Sequence, residues 1–275
     1  MADKQPNSRR NLDIAINRLA NNEDDARRIR LIMANTIVGQ MLPSGVVKGG
    51  SALKLRYGNE VTRFTRDLDT ARNTDLEVFV SELRTQLEHG WNGFVGNAIR
   101  REPAKPEGIP RHYVMQPFDV KLSYNQKSWL TVPLEIGCNE IGDADKPEYK
   151  ISEDIVNLFT ELGFPAPNPV ALMPLHHQVA QKLHGASEAE SNRPHDLIDL
   201  QVIISESRLD LLKTKEICIR LFEYRKLQTW PPVIKKCEKW ESLYKNQSVG
   251  LSVLGSVDEA IVWANDLISK IDSAC

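Results

Sequence analysis

The sequence predicts an α/β domain with a small mixed sheet over residues 1–165, followed by an α-helical domain over residues 166–275. Three observations lead there. Before residue 165, apolar residues alternate with polar ones in 112–124 and 129–136, and amphipathic stretches of helical spacing lie between such strand candidates. A Pro-rich passage, Gly163-Phe-Pro-Ala-Pro-Asn-Pro169, then breaks the pattern. After Pro174 every periodic stretch has helical spacing.

The totals narrow the field. The chain has 275 residues, 41% hydrophobic and 26% charged, a balance typical of a globular protein. No apolar run is long enough to span a bilayer. The start, MADKQPNSRRNLD, lacks an apolar signal core, so the expected location is the cytoplasm. Cys138, Cys218, Cys237 and Cys275 are scattered, which fits neither a metal cluster nor a disulfide framework. The net charge of −2 excludes a generally basic nucleic-acid binder, so any such contact has to be a local patch.

In order, residues 1–8 are polar and expected to fray. Leu12, Ala15, Ile16 and Leu19 mark one helix. Ile29, Ile32, Met33, Thr36 and Ile37 mark a second, capped by Asn21 or Asn22 and closed by Pro43-Ser44-Gly45. Val46-Val47 starts a buried strand. Asp75 to His89 is an amphipathic helix ended by Gly90. Phe94 to Ile99 is a strand, and 100–111 is a loop carrying Arg100, Arg101, Lys105 and Arg111. Pro133 requires that the 129–136 strand lie at an edge, or that its N–H side be unpaired there. Ser152 caps a short helix to Leu162. Helices are expected from Pro174, from Asp196, and at about 209–227, 233–245 and 258–271, the last opened by a Ser256–Glu259 capping box.

The chain is organised around 46–71, VVKGGSALKLRYGNEVTRFTRDLDTA. Gly49 and Gly50 permit positive φ and close approach of a ligand. Ser51 stands where a helix N-cap would be, and a helix N-terminus suits a phosphate. Asp67-Leu68-Asp69 follows on a strand, where both carboxylates share one face. Such a pair suits a Mg²⁺ ion that also holds phosphate oxygens. Lys54, Arg56, Arg63 and Arg66 surround this stretch and could hold a triphosphate or an RNA backbone. Farther on, Lys182 lies beside the apolar stripe of its helix and must snorkel or find a partner. Asp196 and Asp199 share a face with Leu200 and Ile203 of the next helix.

The order Gly-Gly-Ser, basic loop, Arg66, Asp67-x-Asp69 resembles the AbiEii branch of the nucleotidyltransferase superfamily, which includes MenT-type toxins. The segment AQKLHGASEAESNRPHDLIDL resembles that family's helical lysine followed by its Asp-Leu-x-Asp-Leu helix, although Arg193 here stands three residues before the aspartate. The resemblance implies a nucleotidyltransferase-like α/β domain with an active-site cleft facing the helical domain. It implies that Asp67 and Asp69 bind Mg²⁺ or Mn²⁺, and that Gly49, Gly50, Ser51 and Lys182 hold a nucleoside triphosphate (NTP). Asp196 would take the proton of the attacking hydroxyl, with His195 a weaker candidate helper. A third carboxylate on a neighbouring strand would be Glu135, favoured by its phase, or Asp119. The implied activity is transfer of a nucleoside monophosphate to RNA, at the tRNA 3′ end, by a toxin with a cognate antitoxin. Transfer to a small molecule or protein hydroxyl, and a non-catalytic binding module, are the competing readings. A phosphate on Ser51 would occupy the cradle and block the nucleotide.

Overall fold

The computed structural model describes residues 4–104 and 114–275; Lys105, Arg111 and the first residues of the expected 112–124 strand lie outside them. The chain divides into two compact units. Residues 1–59, 64–139 and 144–172 form the first; 60–63, 140–143 and 173–275 form the second.

The first unit opens with α1 (Arg9–Leu19) and α2 (Glu23–Gln40), whose N-caps Ser8 and Asn22 accept from the backbone N–H of Asn11 and Asp25. Of residues 1–8, expected to fray, residues 4–8 are described, and Gln5 and Pro6 are tied down. Gln5 donates to the Asn92 carbonyl at 3.0 Å, and the Tyr124 hydroxyl donates to the Pro6 carbonyl. There follow β1 (Gly45–Lys48), α3 (Gly49–Tyr57), β2 (Leu68–Arg72), α4 (Leu76–His89), β3 (Phe94–Arg100), β4 (Gln116–Tyr124), β5 (Lys127–Cys138), β6 (Glu148–Lys150), α5 (Glu153–Glu161) and β7 (Val170–Leu172).

The strands form one mixed seven-stranded sheet in the order β3-β4-β5-β2-β1-β7-β6. The pairs β2–β5 and β1–β7 are parallel, and the other pairs are antiparallel. β6 and β7 were not expected; three residues each are too few to show alternation. β5 is not an edge strand, since β4 and β2 flank it. Its pairing with β2 begins at Leu134, one residue past Pro133, so the missing N–H faces no partner on that side. This is the second of the two arrangements that proline allows.

One core face joins Met33, Ile37 and Val38 of α2 to Val47, Leu68, Leu134 and Ile136 of the sheet and to Leu83 and Leu87 of α4. At one end it becomes aromatic: Phe94 lies 4.5 Å from Tyr124, 5.1 Å from Trp129 and 5.6 Å from Phe164, ring centre to ring centre. Phe159 meets Trp91 edge-on at 5.5 Å.

The second unit holds α6 (Leu175–Ser187), α7 (His195–Glu206), α8 (Leu211–Arg225), α9 (Trp240–Ser248) and α10 (Val257–Asp272). The Ser256–Glu259 capping box is present. The helix expected from 233 begins only at Trp240. Pro231-Pro232 cannot join a helical ladder. Next to them the Asn265 side chain takes both backbone groups of Ile234, at 2.9 and 3.1 Å. Two short excursions of the chain belong here as well. Glu140 pairs with Arg225 at 2.5 Å, and Asp143 accepts from Gln181 at 2.8 Å.

Phe159 is fully buried among these rings. Phe159→Ala is expected to cost about 3–5 kcal/mol, read as a lowered urea midpoint at unchanged m-value.

Candidate active site

β1 turns into α3 within one residue, and Gly49 makes that possible. Its φ is +66°, and a Cβ placed on it would stand 2.4 Å from Oδ2 of Asp69. The carboxylate of Asp69 therefore lies against the N-terminal turn of α3, where backbone N–H groups and the helix dipole favour negative charge. Ser51 is not the N-cap. Lys48 holds that position without a side-chain bond, and Ser51 is the third residue of the helix. The Ser51 hydroxyl donates to the Asp67 carbonyl at 2.6 Å and accepts from Asn35 of α2 at 3.4 Å. The residue is 2% exposed, so its hydroxyl is not open to solvent for modification. It fixes where the chain enters β2, and so where Asp67 stands.

The sheet register brings further charges to this point. Lys48 lies opposite Asp69 across β1–β2, and Asp69 lies opposite Glu135 across β2–β5. Burial raises the proton affinity of Glu135, and the charges of Asp69 and Asp67 raise it further, against the pull of Lys48. Asp119 is placed differently. It stands opposite Pro133 on β4 and pairs with Arg101 at 2.7 Å. Among the described residues no three His, Cys, Asp or Glu side chains form a ready metal cage. Mg²⁺ seldom needs one, because it keeps waters and takes one or two carboxylates plus the phosphates of its substrate. The Asp67–Asp69 pair beside a helix N-terminus fits a divalent cation whose remaining ligands are waters or, when a nucleotide is bound, its phosphate oxygens.

The second unit gathers its own charged group. Lys182 of α6, only 4% exposed, reaches Asp196 Oδ1 at 3.0 Å and Asp199 Oδ2 at 2.5 Å on α7. Arg63 holds both oxygens of Asp199, at 2.9 and 3.0 Å, and Arg193 reaches the other oxygen of Asp196 at 2.7 Å. The apolar face of α7 carries two aspartates because they have three cations to hold. Burial would raise Asp196, but Lys182 and Arg193 hold it well below the usual carboxylate range. Asp199 is likewise lowered, against its burial, by Arg63 and Lys182. Burial pushes His195 down to about 4, so at neutral pH its 3.9 Å approach to Asp196 is not an ion pair.

Three members of these groups were not singled out from the sequence: Lys48, Asp199 as a ligand of Lys182, and Arg63 as its second support. Arg63 and Asp199 are 136 residues apart, and nothing in one sequence links them. Lys48 had only its place before Gly49-Gly50 as a signal. The basic stretch expected to face RNA is partly engaged elsewhere. Lys54 donates to Asn59 at 3.0 Å and Arg56 pairs with Glu148 at 2.5 Å. In the 100–111 loop, Arg101 is tied to Asp119; Arg100, which ends β3, pairs with Glu77 at 2.5 Å.

The family described as nucleotidyl transferase AbiEii toxin, Type IV TA system, matches residues 37–255. Sequence comparison with curated proteins gives no match. Among solved structures, MenT4, a nucleotidyltransferase toxin from Mycobacterium tuberculosis H37Rv, shares the fold with a TM-score of 0.61 at 13% identity. The match covers 98% of this chain and 90% of that one. A putative nucleotidyltransferase from Helicobacter pylori matches at a TM-score of 0.44 and 17% identity, over 91% of this chain and 96% of that one.

Two outcomes follow from the α6–α7 charges. Asp199→Asn leaves Arg63 and Lys182 buried with one anion fewer, a loss of about 3–5 kcal/mol by the usual cost of breaking a buried pair, measurable by urea denaturation. The folded protein resists protonation of His195 until about pH 4, while the unfolded chain takes that proton near 6.5. The unfolded state thus binds more protons between these values, and stability falls as pH drops through that window, by at most about 1.4 kcal/mol per pH unit. The difference between wild type and His195→Gln in denaturation across pH 4–7 isolates this contribution.

Proposed function

Because the chain belongs to the AbiEii nucleotidyltransferase toxin family, we propose that it is the toxin of a toxin–antitoxin pair that uses Mg²⁺ or Mn²⁺ to transfer a nucleoside monophosphate from an NTP to RNA. The acceptor is the 3′ end of tRNA, and arrest of translation is the outcome. The observation that carries the reading is the contact of Asp69 with the Gly49 turn, with Asp67 two residues away. An acidic pair at a helix N-terminus is what an NTP with its cation requires.

In this reading Asp67 and Asp69 hold the cation. Bound there, it would neutralise charge on the phosphates and orient the attack. Gly49, Gly50 and Ser51 supply the first turn of α3, whose backbone N–H groups receive phosphate oxygens. Lys182 binds the triphosphate. The acceptor hydroxyl oxygen bonds to the α-phosphorus, the bond from that phosphorus to its bridging oxygen breaks, and pyrophosphate leaves. The resemblance gives the hydroxyl proton to Asp196. A carboxylate held so far below its usual range by Lys182 and Arg193 is a weak base. The geometry favours Asp196 as the residue that aims Lys182, the proton leaving to solvent.

No helix among the described residues is long and apolar enough to cross a membrane, and we place the toxin in the cytoplasm with a cognate antitoxin protein as its partner. One observation favours the competing acceptor, a small molecule or a protein hydroxyl: Lys54, Arg56 and Arg63 bond within their own units. Acceptor binding that weakens steeply with salt supports RNA, and a flat response supports the alternative.

The test supplies each labelled NTP in turn with total RNA and Mg²⁺. Label should appear on tRNA with the wild type and be absent with Asp69→Asn. Asp69→Asn at the wild-type rate would sink the reading.

A further inference from the structure

β1, β2 and β5 present one face on which Lys48, Asp69 and Glu135 form a row, with Val46, Ala71 and Gly137 forming the next row two residues along. The Lys48 side chain does not stay in its own row. A Cβ built on Gly137 would stand 3.1 Å from the Lys48 amino nitrogen and 3.7 Å from its Cε. The chain therefore crosses β2 diagonally and sets its ammonium down on β5, two residues from Glu135. It can do so because Ala71 is small and Gly137 has no side chain. The charge reaches Glu135 through space, opposing what burial, Asp69 and Asp67 do to it. Glu135 is thus near enough to the aspartates to feel both, yet no three of these acids close into a cage.

We propose that Lys48 is a positioning residue: seated in the gap left by Gly137, its ammonium is a fixed counter-charge to Glu135, so that the site takes one divalent cation on Asp67 and Asp69. Without that ammonium Glu135, already raised by burial, Asp69 and Asp67, loses the charge that opposes them. Glu135 is then free to draw a cation itself. Gly137 belongs to the device because a Cβ there already crowds the ammonium at 3.1 Å, and a bulkier side chain would take its place. The proposal rests on the reading of Asp67 and Asp69 as cation ligands.

The experiment counts Mn²⁺ bound to the full chain without nucleotide, by calorimetric titration and by the electron-spin signal of free Mn²⁺. Wild type should bind one ion, and Asp69→Asn none. Lys48→Met should bind Mn²⁺ on the order of tenfold more tightly, the size of one water-screened charge–charge interaction, or take up a second ion. Gly137→Leu should shift the same way, and Lys48→Arg should keep the wild-type count. Adding Glu135→Gln to Lys48→Met should restore wild-type affinity and count, which a general loss of structure would not do. Wild type binding one ion while Lys48→Met binds it with unchanged affinity and count overturns the inference alone. Wild type binding no Mn²⁺ overturns the cation reading and the inference together.

Discussion

The fold turns on a steric constraint at Gly49. A strand that becomes a helix within one residue needs a left-handed backbone there, and the Asp69 carboxylate fills the space a side chain would use. Glycine satisfies both demands at once. The rest of the sheet follows from this approach. β2 is drawn antiparallel to β1 with Asp69 opposite Lys48, β5 is laid parallel to β2 with Glu135 opposite Asp69, and Ser51 pins the entry to β2 through the Asp67 carbonyl. A one-residue slip in either pairing would send these side chains to the helix-packed face.

The second unit solves a different problem, that of keeping a lysine charged inside a helical bundle. A buried ammonium is tolerated only with partners that satisfy it. Lys182 has two carboxylates, and each of these is shared with an arginine. The cluster thus joins three cations to two anions.

Much of this was legible in the sequence. The Gly-Gly turn, the strand that carries Asp69 (with Asp67, expected on it, lying one residue before its start), the caps of α2 and α10 and the helical character after Pro174 are local patterns, and local physics shapes them. What was not legible is of two kinds. Short elements such as β6 and β7 carry too few residues for a period. Long-range partners such as Arg63 for Asp199, or Lys48 over Gly137, depend on which strands and helices become neighbours, and a single sequence holds no record of that. Ser51 shows an intermediate case. Its type and place suggested a cap, but α3 starts three residues earlier, with Lys48 at the cap, because Gly49 can adopt the turn itself, and the hydroxyl was left to bond elsewhere.

The brief excursions at 60–63 and 140–143 have a consequence for how the chain could be divided. Each leaves the first unit, deposits a few residues with the second, and returns. Arg63 arrives this way for Asp199, and Glu140 for Arg225. No single cut can then separate two complete halves. A fragment beginning at 173 would leave Asp199 without its arginine and Arg225 without its acid. The two units are interleaved along the polypeptide, and they would have to be inherited, expressed and folded as one piece.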